Sequence, residues 1–469
     1  MQNEPIRLKE KIAYGFGDAA SSMFWKLFSA YLLFFYTNVF GIAAGAAGTM
    51  FLVSRIWDAA FDPFVGILGD RTESRWGKFR PYLLWIAIPF GIIGVLTFTT
   101  PSFDSSGKLI YAYVTYSLMM MIYSLINVPY AALMGVMTAD GKERTSLATF
   151  RFIFAFGGSL VVLAAAEPLA NAFSKLGGDV NPQRGWQLMA GVFALIAMLL
   201  FFLTFLWTRE RIKPVVEKTS LKDDLADLGK NFPWFILLGA GVATIFFNTI
   251  RDGVAIYYFK YCLLGDHAFT IGKLAFTWTG LYFVLGQGAN ILGVILAKTV
   301  SDRIGKKNTF FAAMLLAAVF SFGFYWLNQQ QVVMVFVLQF LVSVNAGIIF
   351  PLLWPMYADA ADFSEWKRGR RSTGLVFSAS SMSQKFGWTI GGSLAAWLLA
   401  YYAFDAKLDL QTTTTQNGIR MMMSFYPAIG ALASAAFIFV YPLKEPFMQQ
   451  IEGELAARRA QKGPVPATT

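Results

Sequence analysis

Leu52-Val-Ser-Arg-Ile-Trp-Asp-Ala-Ala-Phe-Asp-Pro-Phe-Val-Gly-Ile-Leu-Gly-Asp70 is the stretch whose reading decides the fold. It is apolar enough to cross a bilayer, yet Arg55, Asp58 and Asp62 interrupt its middle. At about 100° per residue, positions i, i+3 and i+7 fall within roughly 60° of one another, so the three charges share one helix face. A charge near the bilayer centre costs roughly 2.5–3.5 kcal/mol, which implies mutual pairing around a wet cavity. Two carboxylates one turn apart repel when both are ionised, unless a cation sits between them. Such a pair suits holding a proton or a small hard cation during transport. The alternative is a structural ion network that pins two helices. The expectation is a cation-coupled transporter.

The composition extends this reading to the whole chain. Hydrophobic residues make up 56% of 469 and charged residues 14%, against about 25% charged in soluble domains. Twelve apolar runs of bilayer-spanning length recur, at about 18–40, 46–69, 82–100, 110–134, 149–172, 188–207, 233–260, 274–298, 309–327, 332–357, 373–403 and 417–441. The expected fold is an all-α membrane protein with twelve transmembrane helices in two pseudo-symmetric six-helix bundles. Residues 1–207 form the first bundle, 208–232 a central loop, 233–441 the second bundle and 442–469 a tail.

The net charge of +11 does not point to nucleic acid, because of where it lies. Of 39 Lys and Arg, 27 fall in the first eleven residues, the even-numbered loops and the tail. Five fall in the other loops: Lys108, Lys175, Arg184, Lys273 and Lys407. By the positive-inside rule both termini are expected in the cytoplasm, with a multi-pass chain in a bacterial inner membrane. Met1–Glu10 is polar and the first apolar run is a full span, so no cleavable signal is expected.

Cys262 is the single cysteine and His267 the single histidine, beside Asp266 in a loop. An intramolecular disulfide and a thiolate metal cluster are thereby excluded, and any proton relay in the spans must use carboxylates. No nucleophile–base pair or phosphate loop is visible, so the chain does not read as an enzyme, and no covalently bound cofactor is expected. A transporter-like sugar receptor is disfavoured because the tail is short and polar.

Taken in order, Asp18, Ser22, Trp25 and Ser29 form a polar and aromatic stripe on the first span, as a cavity lining would. Asp18 alone is equally an acid offsetting a helix macrodipole. Tyr116, Met120, Tyr123 and Asn127 line the fourth span, with Ser124 turned about 100° away. Aromatic faces beside amide and hydroxyl groups match a sugar, although tyrosines at this spacing also read as packing. Arg151 opens the fifth span, and Asn248, Arg251 and Asp252 cluster in the seventh, where Arg251 is expected to be neutralised by its neighbour. Trp354 stands near the end of the tenth span, before Asp359, Asp362 and Glu365, which read as gate or loop ion pairs. Ser378, Ser381, Lys385 and Thr389 share a face of the eleventh span, with Lys385 turned to the cavity.

An internal repeat supports the two-bundle plan. Gly69-Asp-Arg-Thr-Glu-Ser-Arg-Trp-Gly-Lys-Phe-Arg-Pro81 is echoed by Thr299-Val-Ser-Asp-Arg-Ile-Gly-Lys-Lys307. Asp70–Arg71 and Asp302–Arg303 each follow the second span of a six-span set, as expected of duplicated transporters. These loops resemble the loop motif of the major facilitator superfamily, where acid and base hold helix ends together.

Arg55-Ile-Trp-Asp-Ala-Ala-Phe-Asp-Pro63, Arg75-Trp-Gly-Lys-Phe-Arg-Pro81 and Ala358-Asp-Ala-Ala-Asp362 resemble the glycoside–pentoside–hexuronide:cation symporters, of which the melibiose permease is a member. The likeness covers about residues 11–445. It implies a major facilitator fold that couples uptake of a sugar to Na+, Li+ or H+. It further implies that Asp58 and Asp62 bind the cation, also as metal ligands, with Ser124 assisting. Tyr123 and Arg151 match sugar-site residues, Lys385 a lysine linking sugar and cation sites, and Arg144 a loop arginine important for gating. Asp70, Arg71, Asp302, Arg303, Asp359 and Asp362 complete the expected gating set; Asp18, Ser22, Asn127 and Trp354 complete the substrate set.

The departures bear on the substrate. Ser22 and Asn127 stand where the melibiose permease has two carboxylates that grip a galactoside, and Phe61 replaces an asparagine that influences sodium preference. Losing two acids while keeping Arg151 and Lys385 moves the site toward positive potential, which favours an anionic ligand. The expectation leans to an acidic sugar, a hexuronide or a sulfonated hexose glycoside. If Asp18, Asp58 and Asp62 already neutralise the bases, the substrate is a neutral pentoside or glycoside. A sodium-coupled lysolipid carrier is the nearest other class. The expected partners are a small-molecule sugar, the coupling cation and the lipid bilayer, with no nucleic acid, and the protein is expected to work as a monomer.

Overall fold

The computed structural model describes residues 6–138, 141–211, 229–263, 265, 267–271, 274–368 and 373–461. The side chains of Asp70, Arg144, His267, Ser378 and Ser381, with Asp266 and most of the central loop, lie outside the described residues.

The described residues are predominantly helical. Helix α1 is Leu8–Leu27 and continues through two π turns, Phe28–Leu32 and Phe35–Phe40, until Gly41 in the left-handed region stops it. It is followed by α2 (Ala44–Arg71), α3 (Arg80–Trp85), α4 (Ala87–Thr97), α5 (Ser105–Met137), α6 (Gly141–Ser174) and α7 (Pro182–Trp207). The second half comprises α8 (Phe232–Tyr257), α9 (Trp278–Ile304), α10 (Lys306–Gly323), α11 (Val332–Arg368), α12 (Thr373–Tyr401), α13 (Thr413–Met423), α14 (Phe425–Phe439) and α15 (Glu445–Gln461). Among the described residues eight segments are long and apolar enough to cross a membrane: α5, residues 146–174 of α6, α7, α8 with its π turn, α9, α10, α11 and the α13–α14 pair. With α1, α2, the α3–α4 pair and α12, the described residues supply the twelve spans expected.

Local chemistry explains the boundaries. Asp104 and Asn181 cap α5 and α7 by accepting hydrogen bonds from the backbone N–H of Gly107 (2.9 Å) and Arg184 (3.0 Å). The third span breaks at Ile86 because Pro89 has no N–H to offer the carbonyl of Trp85. Pro427 does the same to the carbonyl of Met423, which divides the twelfth span into α13 and α14.

Two expectations need correction. The loop after the seventh span and the start of the eighth, expected as coil and helix, instead form an antiparallel hairpin, β1 (His267–Ile271) with β2 (Leu274–Thr277). Thr270 pairs with Ala275 and Ile271 with Leu274, with a bulge between His267 and Phe269. Stacked Phe269 and Phe276 rings hold its face, and β2 packs on α6. The tail is not merely polar: α15 buries Met448, Ile451 and Leu455 and packs on α11. Trp366 Nε1 donates to Glu454 at 2.6 Å, which pins α15 to the end of α11.

Two compact units emerge, one of residues 1–216, 252–284 and 392–419, the other of 217–251, 285–391 and 420–469. In the first, α1 packs on α6 and α7, α2 on α5, and α4 on α5 and α7. Gly158 permits the close approach of α6 to α1, since a Cβ there would stand 2.7 Å from the carbonyl oxygen of Ala19. In the second, α10 packs on α11 and α14.

Candidate functional site

The first unit gathers most of the expected site residues. Three charges on α2 face α5, where the Ser124 hydroxyl stands 2.9 Å from Asp58 Oδ1 and 2.7 Å from Asp62 Oδ1. Arg55 lies 3.7 Å from Asp58 Oδ2 and sits over the Trp25 ring, 4.6 Å from its centroid. Asp58 and Ser124 are buried. One hydroxyl carries one proton, so it satisfies one of the two carboxylate oxygens at a time. A cation among the oxygens would relieve the second close oxygen–oxygen contact. Two carboxylates and a hydroxyl are hard oxygen ligands suited to Na+ or Li+ and equally able to hold H+. Among the described residues no group of three or more His, Cys, Asp or Glu is assembled, so these three oxygen donors are the candidate ion site.

Beside it runs a polar and aromatic strip. Arg151 Nε on α6 donates to Asp18 Oδ2 on α1 at 2.7 Å, and its guanidinium lies over the Tyr130 ring. Tyr130 stacks on Tyr14 and donates through its hydroxyl to the Tyr14 carbonyl at 2.6 Å. Tyr123 and Trp25 meet with centroids 5.4 Å apart, and Asn127 Nδ2 donates to the Tyr123 carbonyl. Ser22 is half-buried on α1 between Asp18 and Trp25.

Of the two alternatives for Arg151, the pair with Asp18 is the one formed. Arg251 and Asp252, expected to neutralise each other, turn to different partners although adjacent in sequence. Asp252 Oδ2 accepts from Lys26 Nζ at 2.6 Å within the first unit, whereas Arg251 in the second donates to Gln339 at 2.6 Å. Sequence reasoning missed Lys26, Tyr14 and Tyr130, and gave Asp252 a partner other than Lys26. Lys26, Arg55 and Arg151 are interleaved here with Asp18, Asp58, Asp62 and Asp252.

Trp354 and Lys385 belong to the second unit. Trp354 contacts the Tyr357 ring, and Lys385 is half-buried on α12, its carbonyl accepting from Thr389 Oγ1. Of the gating set, Asp359 pairs with Lys306 at 2.5 Å. Asp302 pairs with Lys298 of its own helix at 2.7 Å, while Arg71 and Arg303 are exposed and Asp362 is half-buried.

In the first unit the loop after α2 is held by residues that the sequence reading passed over. The Glu210 carboxylate accepts from the backbone N–H groups of Lys78, Phe79 and Arg80 at 2.8–2.9 Å. Arg211 forks onto Glu10 at 2.7 and 2.8 Å.

A family model described as MFS/sugar transport protein matches residues 13–445. The chain is 38% identical to the inner membrane symporter YicJ of Escherichia coli, over 93% of this chain and 92% of that one. It is 36% identical to an isoprimeverose transporter of Lactiplantibacillus pentosus, over 97% and 91%. The crystal structure of a D-xylose–proton symporter superimposes with a TM-score of 0.61 at 16% identity, over 93% of this chain and 98% of that one, a likeness of fold. The chain belongs to the MFS/sugar transport family, within its glycoside–cation symporters, and is a membrane transporter, not an enzyme.

Proposed function

We propose, from membership in the MFS/sugar transport family, that the protein is a cation-coupled symporter importing a neutral glycoside or pentoside. The observation that carries the coupling is the Ser124 hydroxyl set between Asp58 and Asp62, with its single proton for two acceptors. Na+ or H+ at these oxygens relieves the carboxylate repulsion. Sugar binding then strengthens ion binding by the same coupling energy with which the ion strengthens sugar binding.

The charge pattern supports a neutral ligand over the acidic sugar that the sequence favoured. Arg151 is matched by Asp18 and Lys26 by Asp252, which lowers the positive potential that a carboxylate or sulfonate would meet at these two bases. Kinship with the isoprimeverose transporter agrees with this reading. Tyr123 and Trp25 offer faces to sugar C–H groups, and Asp18, Ser22, Asn127 and Arg151 offer hydrogen bonds to hydroxyls. Trp354 and Lys385 are assigned to the substrate from the second half of the chain. Asp70, Arg71, Arg144, Asp302, Arg303, Asp359 and Asp362 are assigned to gating. We assign residues 1–207 and 233–441 to two six-helix bundles, joined by the 208–232 loop and followed by the 442–469 tail. The placement is the bacterial inner membrane, with both termini cytoplasmic and a monomer as the working form.

The test is calorimetry of the purified protein with neutral glycosides and uronides, each with and without Na+ at fixed pH. Ion-enhanced binding of a neutral glycoside is expected. Binding of uronides alone would overturn the substrate reading, and binding unaffected by both Na+ and pH would overturn the coupling.

A further inference from the structure

At one end of the second unit, α9, α10, α11 and α15 enclose a cavity of about 940 Å³. Five bases line it (Lys298, Arg303, Lys306, Lys307 and Lys444) against two acids, Asp302 and Glu445. Two bases are committed: Lys298 pairs with Asp302 and Lys306 with Asp359. Arg303, Lys307 and Lys444 then face the cavity with Glu445 as the other lining acid, an excess of positive charge. The Lys307 ammonium donates to the carbonyls of Phe439 (2.8 Å) and Tyr441 (2.6 Å), which uses two of its three donors and leaves one to offer.

We infer that this cavity binds the phosphate headgroup of an anionic glycerophospholipid. The charge selects a phosphate, and the surroundings select a lipid over a soluble phosphate. Val294, Leu352 and Pro355 provide an apolar wall, and the neighbouring Ile291 and Ile295 of α9 are exposed, as are Phe439 and Val440 beside the carbonyls that hold Lys307. From Ile291 to Ser301 the helix rises about 15 Å, roughly half a hydrocarbon core of about 30 Å. A headgroup among the bases would therefore lay its acyl chains along this exposed apolar face. Basic pockets between spanning helices are suited to anionic headgroups in this way. The inference is independent of which sugar is carried.

The test uses the full chain purified in neutral detergent, with native mass spectrometry to titrate phosphatidylglycerol and, separately, phosphatidylcholine. Wild-type protein is expected to hold phosphatidylglycerol several-fold more tightly. Lys444→Gln should weaken that binding about fivefold, and the Lys307→Gln/Lys444→Gln pair further, at roughly one such step per base. Lys175→Gln, the same charge change at a remote exposed site, should leave it unchanged. Glycerol 3-phosphate at millimolar concentration should not displace the lipid. Equal retention by Lys444→Gln and wild type, with matching thermal unfolding, would overturn the site. Displacement by glycerol 3-phosphate would overturn its assignment to lipid.

Discussion

Arg151 on α6 donates through Nε to Oδ2 of Asp18 on α1 at 2.7 Å, so the base that dominates the candidate sugar site carries its own counterion. A positive cleft becomes a nearly balanced one, and recognition passes from charge to hydrogen bonds and aromatic faces. In such a site the hydroxyls of a sugar are read by groups that already hold each other in place.

Removing the counterion should therefore change the ligand class. Asp18→Asn leaves the Arg151 charge without its acid, which costs about 1–3 kcal/mol of stability. It should also raise affinity for uronides relative to the matching neutral glycosides. Competition uptake with paired sugars measures the ratio. An unchanged ratio in a folded Asp18→Asn protein would mean that Arg151 does not face the substrate.

Asp58→Asn and Asp62→Asn should each abolish accumulation against a gradient. Ser124→Ala, which removes one oxygen ligand and the shared proton, should weaken ion dependence about tenfold and keep residual transport. Ion-gradient-driven uptake in vesicles, imposed once as Na+ and once as a proton gradient, identifies the ion as well as the loss. Survival of accumulation in Asp58→Asn would remove it from the coupling site.

How much of this was legible depends on sequence distance. Arg55, Asp58 and Asp62 announced themselves because charge in an apolar run is expensive and helical periodicity put them on one face. Trp25 and Tyr123 were visible for the same periodic reason, and their ring contact follows from two stripes meeting. Lys26 was not legible as a site residue, since its partner Asp252 lies 226 positions away and nothing local distinguishes a paired lysine from a snorkelling one. Arg251 and Asp252 misled for the opposite reason: neighbours in sequence point about 100° apart on a helix. The hairpin at 267–277 was missed because Leu274–Thr277 is apolar and runs into Trp278 without a break, so its alternation was absorbed into the span.

The Lys26–Asp252 pair joins the first span to the seventh and is only partly exposed, 21% and 26% for the two side chains. Thr37 with Tyr257 and Asn38 with Tyr261 extend the same seam. If this seam is a gate that must open and close during transport, Lys26→Asp should nearly stop turnover, and Lys26→Asp/Asp252→Lys should restore a substantial part. A double-mutant cycle on sugar exchange measures the coupling. Exchange rates that simply add would mean that the two residues act separately.

The loop after α2 offers a structural test with a sharp steric cause. Gly77 has φ +108, a conformation that side chains avoid, and a Cβ there would collide with the Glu210 carboxyl group. That carboxylate gathers the backbone N–H groups of Lys78, Phe79 and Arg80, while Arg80 reaches the Phe205 carbonyl at 2.6 Å. Gly77→Ala is expected to cost about 1–3 kcal/mol through strain alone. Glu210→Gln should cost a similar amount, because an amide replaces a charged acceptor of three hydrogen bonds. Both should lower the Tm in detergent, and the double variant should lose less than the sum, since the two changes disturb one contact. Strictly additive losses would show that Gly77 and Glu210 stabilise the chain independently, and that the loop is not seated on the end of α7 through this carboxylate.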